Sequence, residues 1–364
     1  MDANNTAAEG VVTVVFASDG GYAAYLAVAI ASVVRHASPS RAYRIIVLEN
    51  GISEFRRARM RRFLRAYPHV ELQFISSGVL AEQMKERQLA RGGRLGEIGS
   101  YDTYARLFLA SLLPDCPRAI YLDVDTIVCD DVAKLYDTDM KGRPLAAVRD
   151  VYLIAAEEAV SVREALVGRG HDMANYFNAG VLLIDLDLWR QQQAEEKMMS
   201  VFQTSPNLMF HDQGLLNIVF QENHLSLHPR WNFLTARMTG IRLTPQIDAE
   251  TEQIDGGESW GIVHYAGCKP WRDPEDAPLA FLWWEEARRS GFDADVMQVE
   301  IAELRRAARA QKDLGRLASL KTQRWTLKLK TRLAGAAKRE KYRDRLARLQ
   351  ARIREAEAYR KKKL

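Results

Sequence analysis

Asp123 and Asp125 stand in the stretch "AIYLDVDTIV", Ala119–Val128, two carboxylates two residues apart in a run that otherwise reads as a buried strand. An unpaired charge is costly to bury, so something must neutralise the pair. If the strand continues, residues i and i+2 share a face, and both carboxylates aim at one point. Like charges held that close raise each other's pKa unless a cation lies between them. A divalent metal is the simplest such cation, and two carboxylates leave it open positions for a substrate diphosphate. The competing reading is a strand-end turn whose aspartates cap backbone N–H groups.

The elements that must position these carboxylates read as alternating strands and helices. "VVTVVFAS", "YRIIVLEN" and "VELQFIS" are strand-like, and "GGYAAYLAVAIASVVRHA" and "SEFRRARMRRFLRAYP" are helix-like, with Ser53 as an N-cap. "DTYARLFLASLLP" predicts a helix stopped by Pro114, leading into the strand at 119. "PLAAVRD", "NAGVLLIDLDLW" and "WGIVHYAG" add strand-like segments, and "HDQGLLNIVFQEN" a helix. The alternation predicts an α/β protein with a parallel-type sheet. Asp123 and Asp125 then fall at a strand's carboxyl end, where chemistry gathers in such sheets.

"DVDTIV" also approaches the motif of haloacid-dehalogenase-type phosphatases, in which the first aspartate, here Asp123, attacks phosphorus. That chemistry needs a later acidic pair following another apolar strand. The pair in "LLIDLDLW", Asp185 and Asp187, alternates inside a strand pattern instead. The phosphatase nucleophile also lies near the start of its domain, whereas α/β pattern fills residues 11–118 here.

With 364 residues the chain can hold one large core plus an appendage. Three cysteines with no metal-type spacing predict a reducing compartment. Residues 1–10 read as a disordered leader without the pattern of a secretory signal, and no apolar run approaches a membrane span. These features predict a cytoplasmic protein. The chain carries 52 Lys+Arg and 47 Asp+Glu; 22 and 6 of these lie in 301–364, a balance of +16, so 1–300 holds 30 and 41, or −11. Such asymmetry concerns partners rather than fold. Residues 291–364 have helical spacing, and Tyr342, Leu346, Leu349, Ile353 and Ala356 form one narrow apolar seam.

Six segments in one order, "VVFASDGGYAAYL", "TYARLFL", "YLDVDTIV", "YFNAGVLLID", "HDQGLLN" and "HYAGCKPW", span about residues 11–285. Together they resemble glycosyltransferase family 8, in particular its bacterial lipooligosaccharide and lipopolysaccharide α-glycosyltransferases. The resemblance implies a GT-A fold over 11–290. It further implies a retaining hexosyltransferase that moves galactose or glucose from a UDP-sugar to a surface glycan, with Mn²⁺ or, in its place, Mg²⁺.

Carried over residue by residue, the resemblance makes His264 the third metal ligand beside Asp123 and Asp125. An imidazole with two carboxylates suits Mn²⁺ better than Mg²⁺, which prefers oxygen. Ala17, Asp19 and Tyr22 match positions that hold uridine, the tyrosine by stacking. Gly267 and Lys269 match the diphosphate loop, where glycine admits phosphate and lysine offsets its charge. Arg106 matches a residue beside the donor sugar, and Asn178 and Asp212 match residues on sugar hydroxyls. Gln213 matches the residue under the β-face of the anomeric carbon. An amide is too weak a nucleophile for ordinary double displacement, so front-face attack, with a diphosphate oxygen taking the acceptor proton, is implied. Asp150 matches a carboxylate near the acceptor; Asp185 and Asp187 are read as structural. Two departures stand out: Gly21 replaces a usual asparagine, and one residue fewer separates Gly267 from Lys269.

For 301–364 the expected partner is an anionic membrane surface, reached through an interfacial helix with Trp325, Leu327, Leu329 and Leu333 among basic residues. That places the protein peripherally on the inner face of the cytoplasmic membrane. The alternatives are a coiled coil for homo-oligomerisation and a non-catalytic adaptor acting through the tail. Nucleic acid is not expected, because no recognition fold accompanies the charge.

Overall fold

The computed structural model describes residues 10–90, 101–151, 173–204, 211–235, 259–333 and 336–361. They divide into two compact units, Met1–Val296 and Met297–Leu364.

The first unit opens with β1 (Val12–Asp19), α1 (Ala23–His36), β2 (Tyr43–Asn50), α2 (Glu54–Leu64), β3 (Val70–Ser76) and α3 (Gly78–Ala90). β1 is buried along nearly its whole length, as β-branched runs are when both faces of a sheet are covered. α1 is apolar almost all round and correspondingly enclosed. Ser53 caps α2 by accepting from the Arg56 N–H. A 3₁₀ segment, Tyr101–Phe108, and a single turn, α4 (Leu109–Leu112), follow. The sequence predicted one continuous α-helix there. The 3₁₀ period aligns Tyr104 with Leu107, both fully buried.

Next come β4 (Arg118–Leu122), β5 (Thr126–Val128), α5 (Ala133–Tyr136), β6 (Leu145–Arg149) and β7 (Phe177–Asp185). α6 (Leu186–Gln191), α7 (Ala194–Thr204) and α8 (His211–Phe220) follow, then β8 (His224–Ser226), β9 (Phe233–Leu234), β10 (Ile262–His264) and α9 (Ala280–Ser290). Seven strands form one sheet in the order β3-β2-β1-β4-β7-β6-β8, and β5-β10-β9 form a second. β3, β2, β1 and β4 are mutually parallel, whereas β7 runs antiparallel to β4 and to β6. The predicted parallel sheet is therefore mixed.

Two sequence expectations need correction. The run 119–128 is two strands in two sheets, broken at Asp123–Asp125, so a shared strand face does not bring these carboxylates together. The segment "NAGVLLIDLDLW" is strand only to Asp185, which then caps α6 by accepting from the Leu188 N–H at 2.9 Å. Asp187 pairs with Arg190 at 2.7 Å. Both acids are structural, as read, although they do follow a strand. In the β4–β7 register Asp185 lies opposite Arg118, the far end of β4 from Asp123. Five strand residues span about 16 Å, which removes the acidic pair that a phosphatase would need at Asp123.

The second unit takes in most of α10 (Asp293–Leu333) and all of α11 (Ala336–Lys361). Leu320 and Leu327 of α10 bury against Leu349 and Ile353 of α11, with Leu346 and Ala356 at the margin. Lys321 pairs with Glu357 at 2.9 Å. The seam read from the sequence is thus closed within the chain, and Leu327 is spent on it rather than presented outward. The side chains of Trp325, Leu329, Leu333 and Tyr342 lie outside the described residues. Among the described residues, no helix is long and apolar enough to cross a membrane.

Candidate active site

β1 and β4 are adjacent and parallel, but the chain leaves β1 for β2 on its other side. The crevice at their carboxyl ends is therefore a topological switch point, where ligands bind in α/β sheets. A cleft of ≈ 330 Å³ opens there, lined by Ala17, Asp19, Tyr22, Arg106, Asp123, Asp125 and Lys269 among others.

Backbone pairing explains the convergence of distant segments. The Asp123 N–H donates to Gly180 O at 2.8 Å, tying the break after β4 to β7. The Tyr265 N–H donates to Asp125 O at 2.9 Å, and His264 pairs with Thr126 in the β10–β5 ladder. Ligand atoms of Asp123, Asp125 and His264 lie within 4.8 Å of one another. His264 Nε2 is 3.3 Å from Asp125 Oδ1 and 3.9 Å from Asp123 Oδ2.

In each of the three, the other side-chain heteroatom is held elsewhere. Asp123 Oδ1 accepts from Arg106 Nη2 at 2.8 Å and from the Tyr121 hydroxyl at 3.2 Å. Asp125 Oδ2 accepts from Lys269 Nζ at 2.5 Å, and that ammonium also donates to Tyr265 O. His264 Nδ1 lies 2.9 Å from Asn232 Oδ1. The remaining atoms, Asp123 Oδ2, Asp125 Oδ1 and His264 Nε2, face one another. Two carboxylate oxygens and an imidazole nitrogen directed at one point form a donor set that fits a divalent cation.

Arg106 is buried rather than solvated. Its Nη1 donates to Ala179 O at 2.6 Å, its Nε lies 2.7 Å from Asp212 Oδ2, and the guanidinium stands 4.5 Å over the Tyr121 ring. Burial alone would favour the neutral form, but Asp123 and Asp212 outweigh it and hold the guanidinium charged. Burial likewise works against the Asp125 carboxylate, yet Lys269 and His264 hold its pKa well below the usual range. The Lys269 ammonium is raised by Asp125 against its own burial. The cleft floor is therefore a fixed lattice of alternating charge.

The other expected residues fall into three places. Asp19 accepts from the Tyr22 N–H at 2.9 Å, and Tyr22 is half-exposed, edge-on to Tyr25 and Trp271. Asn178, Gln213 and Asp150 form a layer outside the cleft lining. Asp150 Oδ2 accepts from Asn178 Nδ2 and Gln213 Nε2, both at 3.0 Å, and Asp150 is 4% exposed. Gly267 does not line the cleft; it has φ +141°, a conformation favouring glycine, in the exposed loop before Lys269. Sequence reasoning passed over Asn232, which belongs to no quoted motif. It also missed the role of Gly180, although "NAGV" was in view: a Cβ there would meet His264 Cε1 at 2.1 Å.

Comparison with known proteins gives a family match, several curated relatives and a solved structure. The chain matches the model described as Glycosyl transferase family 8 over residues 13–275. "General stress protein A" of Bacillus subtilis (strain 168) is 26% identical over 275 residues, covering 74% of this chain and 90% of that protein. The lipopolysaccharide 1,2-glucosyltransferase of Escherichia coli (strain K12) is 28% identical over 184 residues, covering 48% of this chain and 50% of the enzyme. The chain spans about half the length of several other curated relatives. A crystal structure of galactosyltransferase LgtC with donor and acceptor sugar analogues superposes with TM-score 0.62 at 30% identity, over 76% of this chain and 96% of that one.

Proposed function

Because the chain belongs to glycosyl transferase family 8 and has the GT-A fold, we propose that it is a retaining hexosyltransferase. In this reading it moves galactose or glucose from a UDP-sugar to a surface glycan such as lipopolysaccharide or lipooligosaccharide. Asp123, Asp125 and His264 hold Mn²⁺. The observation that carries the reading is the convergence of Asp123 Oδ2, Asp125 Oδ1 and His264 Nε2 beside a cleft at the switch point. The relatives support the substrate class: one is a lipopolysaccharide glucosyltransferase, and another is solved with donor and acceptor sugars.

A bound divalent cation supplies Lewis-acid stabilisation of the departing diphosphate. The chain's own residues do the rest. Tyr22 offers an exposed ring to the uracil and Asp19 a carboxylate to its N3–H, with Ala17 beside them. Lys269, in the loop opened by Gly267, meets charge developing on the diphosphate. Arg106 fixes Asp123 and Asp212, Asp212 is the carboxylate offered to a sugar hydroxyl, and Asn178, enclosed behind the cleft, braces Asp150. Gln213 is held at both ends of its amide, by the Ala179 N–H at 2.9 Å and by Asp150. An amide so held is a poor nucleophile, which supports attack by the acceptor hydroxyl on the face the diphosphate leaves. The anomeric C–O bond to diphosphate breaks, the bond to the acceptor oxygen forms, and the hydroxyl proton passes to a diphosphate oxygen.

The test is hydrolysis of UDP-galactose, UDP-glucose and UDP-N-acetylglucosamine by the full chain, with Mn²⁺ and with chelator. Turnover of one of the first two should fall at least about a hundredfold under chelation, the scale of a metal's transition-state contribution. Absence of metal-dependent turnover of all three donors removes the reading.

In the same reading the second unit meets an anionic membrane surface. A groove of ≈ 630 Å³ runs between Thr322, Gln323 and Thr326 of α10 and Arg345, Arg348 and Arg352 of α11, over Leu327 and Leu349. Three guanidinium groups beside hydroxyls suit lipid phosphate. Each charge near an anionic leaflet contributes ~1 kcal/mol. Replacing the three arginines by glutamine should therefore weaken binding to phosphatidylglycerol-containing vesicles about a hundredfold. Vesicle sedimentation reads this directly, and wild-type binding by the triple variant would exclude the groove as the contact.

A further inference from the structure

Two backbone N–H groups fix the directions of the Asn178, Asn232 and Gln213 amides behind the cleft. The Gly180 N–H donates to Asn178 Oδ1 at 2.9 Å, so that oxygen is the acceptor and Nδ2 turns to Asp150. The group of Asn232 that lies 2.9 Å from the same oxygen must then be its Nδ2 donor. Asn232 therefore presents Oδ1 to His264, and Oδ1 can only accept, so the proton sits on His264 Nδ1. With Nδ1 the donor to Asn232, Nε2 is the nitrogen directed toward Asp123 and Asp125, the atom that a cation between them would take as its ligand. On the other branch, the Ala179 N–H donates to Gln213 Oε1 and sends Gln213 Nε2 to Asp150. Asn232 is wholly buried at the end of the 3₁₀ turn Pro229–Asn232, just before β9.

We propose that Asn232 is a positioning residue of the transfer reaction. Its carboxamide sets the Nδ1–H tautomer of His264 and, through its Nδ2, braces Asn178, which shares Asp150 Oδ2 with Gln213. The cation site and the residue beneath the anomeric carbon are thereby parts of one hydrogen-bonded chain. The inference rests on the reading that Asp123, Asp125 and His264 hold a divalent cation. Removing a partner that orients a metal-bound histidine typically costs 10–100-fold in metal affinity.

The test is titration of the full chain with Mn²⁺ alone, by calorimetry and by the Mn²⁺ spin resonance signal, alongside donor turnover. Asn232→Ala should raise the Mn²⁺ dissociation constant at least about tenfold. Asn232→Asp keeps an acceptor for His264 Nδ1–H but loses the donor to Asn178. It should bind Mn²⁺ within about threefold of wild type while turnover still falls at least about tenfold. A residue that merely filled space would not separate affinity from turnover in this way. Wild-type Mn²⁺ affinity in a folded N232A overturns the inference alone. If N232A does not fold, N232D decides: loosened Mn²⁺ binding, or wild-type turnover, overturns it. No Mn²⁺ binding by the wild type overturns the cation reading and this inference with it.

Discussion

Asp125→Asn is expected to lower metal-dependent donor turnover by at least about a thousandfold, equivalent to ~4 kcal/mol of transition-state stabilisation. The substitution keeps the shape and reverses the chemistry. Asp125 Oδ2 accepts from the Lys269 ammonium at 2.5 Å. In the variant the amide oxygen takes that place, since the NH₂ group cannot accept, and the NH₂ turns toward His264 Nε2 and Asp123 Oδ2. A donor then occupies the position of a ligand. The fold should lose little, because Lys269 keeps both an acceptor and its bond to Tyr265 O. A cost of about 1–2 kcal/mol is expected for a charged hydrogen bond exchanged for a neutral one. Turnover, Mn²⁺ titration and thermal unfolding of the variant check this. A protein that worked only as an adaptor through its basic hairpin would keep every activity in D125N, and turnover within tenfold of wild type would defeat the catalytic account.

The carboxylate pair was legible from the sequence because charges in an apolar run are conspicuous. The way it is assembled was not. Strand periodicity predicts i and i+2 on one face, yet the chain leaves one sheet at Leu122 and enters another at Thr126. The pair is formed by that break and by pairing with Gly180 and Tyr265, contacts that no local pattern encodes. The same limit applies at Asp185, where apolar alternation runs past the end of β7 and only the cap on Leu188 marks the change to helix. Helix and strand positions up to Ser76 were legible because β-branched runs and Ala- and Arg-rich stretches alternate cleanly, whereas the helix Gly78–Ala90 was not read and Tyr101–Phe108 is 3₁₀. Asn232 carries no such signal: a buried asparagine between Trp231 and Phe233 reads like any core segment until its partners are seen. In the second unit the seam at Leu346, Leu349, Ile353 and Ala356 was legible, but its partner on α10 was not. An apolar stripe specifies that something must cover it, not which helix does.

Gly180→Ala isolates the close approach on which the triad depends. A Cβ at this position would lie 2.1 Å from His264 Cε1, 2.7 Å from His264 Nδ1 and 2.9 Å from Asp123 Oδ2, all well inside contact distance. The backbone cannot yield, because β7 lies between β4 and β6 and Gly180 is bonded at both its N–H and its C=O. His264 must therefore move, breaking its bond to Asn232 and withdrawing Nε2 from the carboxylates. Overpacking of this kind costs about 1–3 kcal/mol, and the lost buried hydrogen bond adds ~1 kcal/mol. Mn²⁺ affinity should fall at least about tenfold and donor turnover about a hundredfold. The clash has one dominant partner, so it should be strongly non-additive with His264→Ala. In that background the two nearest atoms are gone and the third, Asp123 Oδ2 at 2.9 Å, is a carboxylate end, so the stability cost should shrink to ~1 kcal/mol or less. Chemical denaturation of the single and double variants measures the coupling. An equal cost in both backgrounds would mean that Gly180 serves strand packing, and that something other than its missing side chain admits the imidazole.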